Sequence, residues 1–272
     1  MKEHQVFESK TESRKGVPPE AERFFRDKLL KKFDNPSFLP QRKEIEKALL
    51  GLPHCSEGST SERDEWVNFL RARGIFEIWT QEYIELFGKY LADRIQVYKK
   101  DNKDPVTILE VGAGDGKLTH YLRKSLDRFA PGSFQIHATD VGREEGMHDE
   151  YQVLRTFPIE EIDNKRAIKK YQPAIVIFSW MPTNTDYTHE FREADCVQEY
   201  ILIGLRDEEA MGYDWDMENF RTGSEEETPQ YILDGFERIS LDALSEIQFS
   251  RTNVIYNQSE TITVSFQRKE TK

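Results

Sequence analysis

Cysteine, net positive charge and long apolar runs are all scarce in this 272-residue chain. Two cysteines, Cys55 and Cys196, give no disulfide framework and no metal-ligand spacing. The six histidines contain no pair at helical spacing either, so a reduced, metal-free, intracellular protein is expected, with a cytoplasmic location. No apolar run approaches the ~20 residues that span a bilayer, and the charged N-terminal stretch lacks the apolar core of a signal peptide. A membrane role is not expected. Lys and Arg number 38 against 50 Asp and Glu, a net charge of −12, which disfavours a broad nucleic-acid face because phosphate binding needs clustered cations. A local basic patch stays compatible with that balance. What the chain does have is 37% hydrophobic and 32% charged residues, enough for a core under a very polar surface. No internal repeat or low-complexity tract stands out.

The chain is organised around Ile108–Leu118, ILEVGAGDGKL. Val106, Ile108, Leu109 and Val111 form an apolar, β-branched run interrupted by Glu110. Glycines follow at every second position, Gly112, Gly114 and Gly116, and a helical pattern begins at Lys117. A buried strand turning through glycine into a helix is a cradle for a nucleotide-like ligand at the carboxyl end of a parallel sheet. Glycine lets the main chain approach such a ligand with no Cβ in the way. A dinucleotide fingerprint needs a third glycine where Lys117 stands. A phosphate loop needs glycine at Val111 and Ser or Thr at Leu118. Neither pattern is met.

Residues 1–17 are polar, without apolar periodicity, and are expected to form a disordered tail. Residues 18–104 read as a helical domain or lid. Helical patterns run through Phe24, Phe25, Leu29 and Phe33, from Pro40 to Gly51, from about Glu62 to Gly74, and over Phe76–Lys99. Trp79 and Tyr83 on the last are candidate lid residues, although an aromatic stripe more often lies in a core. From residue 105 to 272 the pattern alternates. Strands are expected at Thr107–Val111, Phe134–Thr139, Gln152–Thr156, Ala174–Ser179 and Glu199–Ile203. Helices are expected at Leu118–Asp127, Pro158–Lys170 and Thr185–Ala194. Two apolar segments, Glu246–Tyr256 and Thr261–Arg268, read as a C-terminal hairpin. Regular βαβ alternation implies a mainly parallel, doubly wound α/β sheet covered on both faces.

Glu110 followed by Gly112, Ala113, Gly114, Asp115 and Gly116 resembles the first motif of the class I S-adenosylmethionine-dependent methyltransferases, and the likeness runs from about Val106 to the C-terminus. The C-terminal stretch LDALSEIQFSRTNVIYNQSETITVSF is similar to uncharacterised eukaryotic methyltransferase-like proteins. The resemblance implies a seven-stranded Rossmann-like sheet with an antiparallel last strand, and S-adenosyl-L-methionine as cofactor. It implies that Glu110, Gly112, Ala113, Gly114 and Gly116 hold the cofactor, with Glu110 reaching towards its amino group. Asp140, closing the second strand, would accept the ribose hydroxyls, as a turn aspartate there can. Val141 would stack on adenine and Phe157 would border it, without the aspartate often found at that turn.

By the same resemblance the end of the fourth strand, Ser179-Trp180-Met181-Pro182, faces the methionine moiety. It departs from the Asn/Asp-Pro-Pro-Tyr pattern of amino methyltransferases acting on bases. Ser179 and Trp180 are candidate cofactor residues, and Trp180, Tyr187, Tyr213 and Trp215 candidate substrate residues. Asp186 and His189 are candidate catalytic residues, because an amine acceptor must lose its proton before it attacks. The long stretch Arg206–Thr228 sets aromatics beside carboxylates, a composition that favours cations. The expected activity is therefore methyl transfer to a small-molecule acceptor, an amine being the leading class. Two rival readings are a methyltransferase acting on protein or RNA, and a cofactor-binding scaffold without chemistry.

Overall fold

The computed structural model describes residues 19–49, 62–99, 104–142, 156–182, 186–205, 228–251 and 261–269. The chain divides into two compact units, Met1–Phe38 and Leu39–Lys272. The first contains α1 (Pro19–Lys32). Its C-terminal turn is closed by the Phe33 N–H on the Leu30 carbonyl (3.0 Å), and the Phe33 and Phe38 rings meet edge to face at 5.4 Å.

In the second unit α2 (Arg42–Leu49), α3 (Glu62–Ala72) and α4 (Gln81–Tyr98) precede the sheet. The elements that follow are β1 (Val106–Val111), α5 (Lys117–Phe129), β2 (Phe134–Asp140), β3 (Glu160–Glu161), α6 (Asn164–Tyr171), β4 (Ile175–Ser179), α7 (Thr188–Glu193) and β5 (Glu199–Leu205). α8 (Gln230–Leu233), β6 (Phe236–Ser240), α9 (Asp242–Ser245) and β7 (Thr261–Arg268) complete it. The strands form one seven-stranded sheet in the order β3-β2-β1-β4-β5-β7-β6. Neighbours from β3 to β5 are parallel, and β7 runs antiparallel to both β5 and β6. This is the doubly wound, mainly parallel Rossmann-like sheet of the class I methyltransferase fold.

The two-residue period of a strand explains how both faces are filled. Ile108, in register with Ile136 and Ile175, joins Ile177, Ile201 and Ile203 against α4 and α5. Leu109, Val111, Val176, Phe178, Tyr200 and Leu202 point the other way, into a second cluster with α6 and α7. α4 and α5 lie very close where they meet at Gly88. A Cβ there would sit 2.1 Å from the Ser125 hydroxyl oxygen. Among the described residues no helix is long and apolar enough to cross a membrane.

Four expected elements differ in place or partner. Of the expected third strand Gln152–Thr156, only Thr156 is described, and it is not in a strand. The strand beside β2 is Glu160–Glu161, in register with Thr139 and Asp140. That pairing takes the first residues of the expected Pro158–Lys170 helix, so α6 starts at Asn164, where Asp163 caps it by accepting the Arg166 N–H. The C-terminal hairpin is also re-partnered: besides β5, β7 pairs with Phe236–Ser240, and of the expected Glu246–Tyr256 only residues 246–251 are described, outside any strand. Phe236, fully buried, anchors that strand just after Gly235, whose φ of +83° turns the chain. The Leu244 N–H on the Leu241 carbonyl and the Ile247 N–H on the Leu244 carbonyl coil the segment that follows. The expected Phe76–Lys99 helix begins only at Gln81, since Thr80 caps it by accepting the Tyr83 N–H.

Candidate active site

The parallel strands β1, β2, β4 and β5 end along one edge of the sheet, and the glycine loop lies there. Gly112, Gly114 and Gly116 all have left-handed backbones, with φ of +60°, +58° and +74°. At Gly112 the requirement is double, because an added Cβ would fall 2.5 Å from Cε2 of Phe178, a buried ring on the neighbouring strand. The Ala113 N–H donates to the Thr139 carbonyl (3.0 Å) and the Gly116 N–H to that of Ala113 (2.9 Å). Those two bonds fold the loop back over the end of β2. Gly116 is also the N-cap of α5, so the loop delivers the start of a helix to the edge, where the Lys117 N–H donates to Asp115 Oδ1 at 3.0 Å.

Asp140 holds this loop from the neighbouring strand. Its Oδ2 accepts the Gly114 N–H at 3.0 Å and its Oδ1 the Gly142 N–H at 2.8 Å. A carboxylate has about four acceptor positions, so capacity for hydroxyl donors remains after both bonds. Val141, next to it, is 47% exposed, one of few large apolar side chains in the described chain to be so. Phe157 stacks flat on His120 with ring centroids 3.7 Å apart, and its N–H donates to the Asp115 carbonyl. The turn carrying Phe157 is thus fastened to the glycine loop.

Glu110 is 3% exposed, and its Oε2 accepts both the N–H (2.9 Å) and the hydroxyl (2.5 Å) of Thr119. It ties β1 to the first turns of α5 and so sets the loop from below. Burial pushes the Glu110 carboxyl up to about 8. The two Thr119 bonds oppose that rise, and the charges of Asp115 and Asp140 add to it. The folded protein therefore keeps a proton on Glu110 at pH values where the unfolded chain, with an ordinary carboxyl near 4.5, has released it. Stabilisation from the neutral acid is complete below the unfolded value and is lost as pH rises through about 8. Urea midpoints of wild type and Glu110→Gln, followed from pH 5 to 9, should show wild type falling relative to the variant. Parallel profiles would contradict this assignment.

At the end of β4 Ser179 is still in register with Ile203, and the Trp180 N–H extends the ladder to the Ile203 carbonyl at 2.7 Å. Trp180 has φ of +59°. A left-handed backbone costs a bulky L-residue about 1–2 kcal/mol, so other contacts must hold it. Its indole packs on Phe76 at 5.6 Å and its Nε1–H donates to Glu77 Oε2 at 3.1 Å. Tyr187 stands 5.9 Å from the Phe178 ring.

Asp186 is taken up by its own helix. Its Oδ1 accepts the Thr188 N–H (2.8 Å) and hydroxyl (2.6 Å), and its Oδ2 lies 3.9 Å from the buried Arg192 guanidinium. Arg192 in turn donates to Asp234 at 2.7 Å, tying α7 to the residue that ends α8. His189 is exposed, with Nδ1 3.0 Å from the Asp186 carbonyl. Tyr213 and Trp215 lie outside the described residues.

The structure thus brings together Glu110, Gly112, Ala113, Gly114, Gly116, Asp140 and Phe157, and sets Ser179 and Trp180 at the end of β4, the strand next to β1 along the same edge. Residues that sequence reasoning passed over are Thr119, Phe178 and Glu77. Glu77 carried a signal, a lone charge inside the apolar run Ile75–Trp79. Thr119 and Phe178 carried none, since each matters through a partner on another element.

No family model matches the chain, and no curated protein matches it. Among solved structures it is similar to the magnesium protoporphyrin IX methyltransferase ChlM from Synechocystis PCC 6803 with bound SAM. That match has 10% identity and a TM-score of 0.37, over 94% of this chain and all of that one. It is also similar to the plantazolicin methyltransferase BpumL in complex with SAH, at 12% identity and a TM-score of 0.35, over 90% and 99%. The CurJ carbon methyltransferase matches at 15% identity and a TM-score of 0.38, over 67% of this chain. The chain spans about half of CurJ, 54%.

Proposed function

We propose that this protein is an S-adenosyl-L-methionine-dependent methyltransferase acting on a small molecule, with an amine as the acceptor. The observation that carries the reading is the loop Gly112–Gly116. Each of its glycines is left-handed, and Asp140 and Glu110 hold it at the carboxyl edge of a parallel sheet. The residues present fit this cofactor. The loop offers main chain without side chains, Asp140 keeps acceptor capacity for a pair of ribose hydroxyls, and the exposed Val141 supplies an apolar face for adenine. Phe157 on its His120 backing would border the same ring.

When bound, the cofactor supplies an electrophilic methyl group on a sulfonium. The protein's part is alignment, since in-line displacement depends mostly on holding the two reactants in place. Trp180 and Tyr187 would wall the acceptor. His189, exposed beyond the end of β4, would take the proton of an ammonium acceptor. Asp186 would act by fixing the start of α7, and so the place of His189.

The test is transfer of label from S-adenosylmethionine into fractionated cell extract, which reports activity and acceptor size together. Asp140→Ala should weaken S-adenosylhomocysteine about 100-fold, close to 3 kcal/mol, through loss of charge-assisted hydrogen bonds. His189→Ala should slow turnover and leave that affinity unchanged. Label appearing only in protein or RNA would replace the small-molecule reading. Wild-type affinity in folded Asp140→Ala would remove the ribose assignment.

A further inference from the structure

A second buried carboxylate lies outside every role given so far. Glu77 is 6% exposed, in the segment just before α4. Its backbone bridges Ser250 in antiparallel sense. The Ile78 N–H donates to the Phe249 carbonyl (2.7 Å) and the Arg251 N–H to that of Phe76 (2.8 Å). These bonds strap Phe76–Ile78 to Phe249–Arg251. From the strap Glu77 Oε2 accepts the indole N–H of Trp180 at 3.1 Å and the Gln248 amide at 3.3 Å. Gln248 Oε1 accepts the Thr263 hydroxyl at 2.9 Å, and that hydroxyl meets the Tyr83 hydroxyl at 2.7 Å. Tyr83 is therefore a core residue, bonded to β7. The chain of bonds runs from the packed interior to one side chain at the end of β4.

That side chain is the strained one. Apart from Trp180, the only described non-glycine residue with positive φ is Gln172, the C-cap of α6, where a left-handed residue ends a helix in the ordinary way. Trp180 has no such local reason. It sits where the central strand gives out beside the glycine loop, whose Gly112 touches Phe178 two residues earlier. Burial raises the Glu77 carboxyl well above the usual carboxylate range, against the pull of its bonds to Gln248, Trp180 and Phe249.

We infer that Glu77 is a positioning residue that fixes the indole of Trp180, and with it one wall of the ligand cleft at the carboxyl end of β4. The inference rests on the function proposed above for what occupies that cleft, but its direct test needs no ligand. Trp180 emission is isolated as the difference between each protein and its Trp180→Phe counterpart, because the chain holds four tryptophans. In Glu77→Ala this component should shift to longer wavelength and become several-fold more accessible to acrylamide. Glu77→Gln keeps an oxygen acceptor at the same reach and should restore the wild-type signal. If Glu77→Ala does not fold, Glu77→Met fills the space without an acceptor and serves the same comparison. S-adenosylhomocysteine affinity should follow, falling about tenfold in the acceptor-less variant and recovering in Glu77→Gln. An unchanged Trp180 component in a folded acceptor-less variant would overturn the inference, as would Glu77→Gln behaving like Glu77→Ala. If wild type fails to bind S-adenosylhomocysteine, the cofactor reading falls and the emission comparison alone decides the role of Glu77.

Discussion

Gly112→Ala is expected to cost about 2–5 kcal/mol of stability and to abolish measurable S-adenosylhomocysteine binding in the fraction that folds. Two penalties combine. The left-handed backbone at φ +60° disfavours any Cβ, and the added carbon would stand 2.5 Å from the Phe178 ring. Phe178 is buried between β1 and the aromatic rings of Tyr187 and Phe191, so it cannot swing away. The loop must move instead, which pulls Ala113 from Thr139 and Gly114 from Asp140. Trimming the ring in Gly112→Ala/Phe178→Leu should return part of the stability, because it relieves the clash and leaves the dihedral cost. Urea unfolding measures both variants. A single variant as stable as wild type would show that the loop is not held as described.

The second large effect lies at the opposite edge of the sheet. Glu199, fully buried at the start of β5, accepts Arg94 Nε at 2.6 Å, the Tyr98 hydroxyl at 2.8 Å and the Ser265 hydroxyl at 2.7 Å, with Tyr90 as a fourth donor. The cluster joins α4 to β5 and β7. Removing one partner of a buried ion pair leaves the other charge without compensation, at a typical cost of about 3–5 kcal/mol. Arg94 keeps some contact with water, its side chain being 18% exposed, so Arg94→Met should fall at the lower end, about 3 kcal/mol. Removing both charges in Arg94→Met/Glu199→Leu should recover much of the loss, since desolvation then no longer weighs on either group. Denaturation midpoints decide it, and cofactor affinity of the folded variants should stay near wild type because the glycine loop is at the other end of the strands. Additive losses in the double variant would contradict the pairing.

The parts of this fold that show in the sequence are those whose cause is local. β1, β4 and β5 are near-continuous apolar runs because both faces of a central parallel strand are buried, β2 keeps an alternation of Phe134, Ile136 and Ala138, and the glycine spacing marks the turn into α5. β3 is two glutamates, with no apolar period to read, and exists only because Thr139 and Asp140 are there to pair with it. β6 hides for a related reason. An edge strand buries one face at most, and in FERIS only Phe236 is fully inside, so its alternation is lost in a stretch with helical signals on both sides.

The site divides in the same way. Glu110, the glycines and Asp140 are adjacent to the motif that announces them. Asp186 reads as a carboxylate in the right place, yet what it does is set by Thr188 two residues on and Arg192 six residues on, a cap that composition does not distinguish from an acid at a reaction centre. Glu77 acts on Trp180 across 103 positions of chain, a relation that only folding creates.

The central claim is that the edge of the sheet carrying Gly112–Gly116 and Asp140 holds S-adenosylmethionine and not a dinucleotide. Parallel calorimetric titrations of the wild-type chain with S-adenosylhomocysteine and with NAD test it most directly. The account predicts saturable heat at one site for S-adenosylhomocysteine, about 100-fold weaker in Asp140→Ala, and none for NAD. Saturable binding of NAD, or no heat with S-adenosylhomocysteine on folded protein, would contradict it.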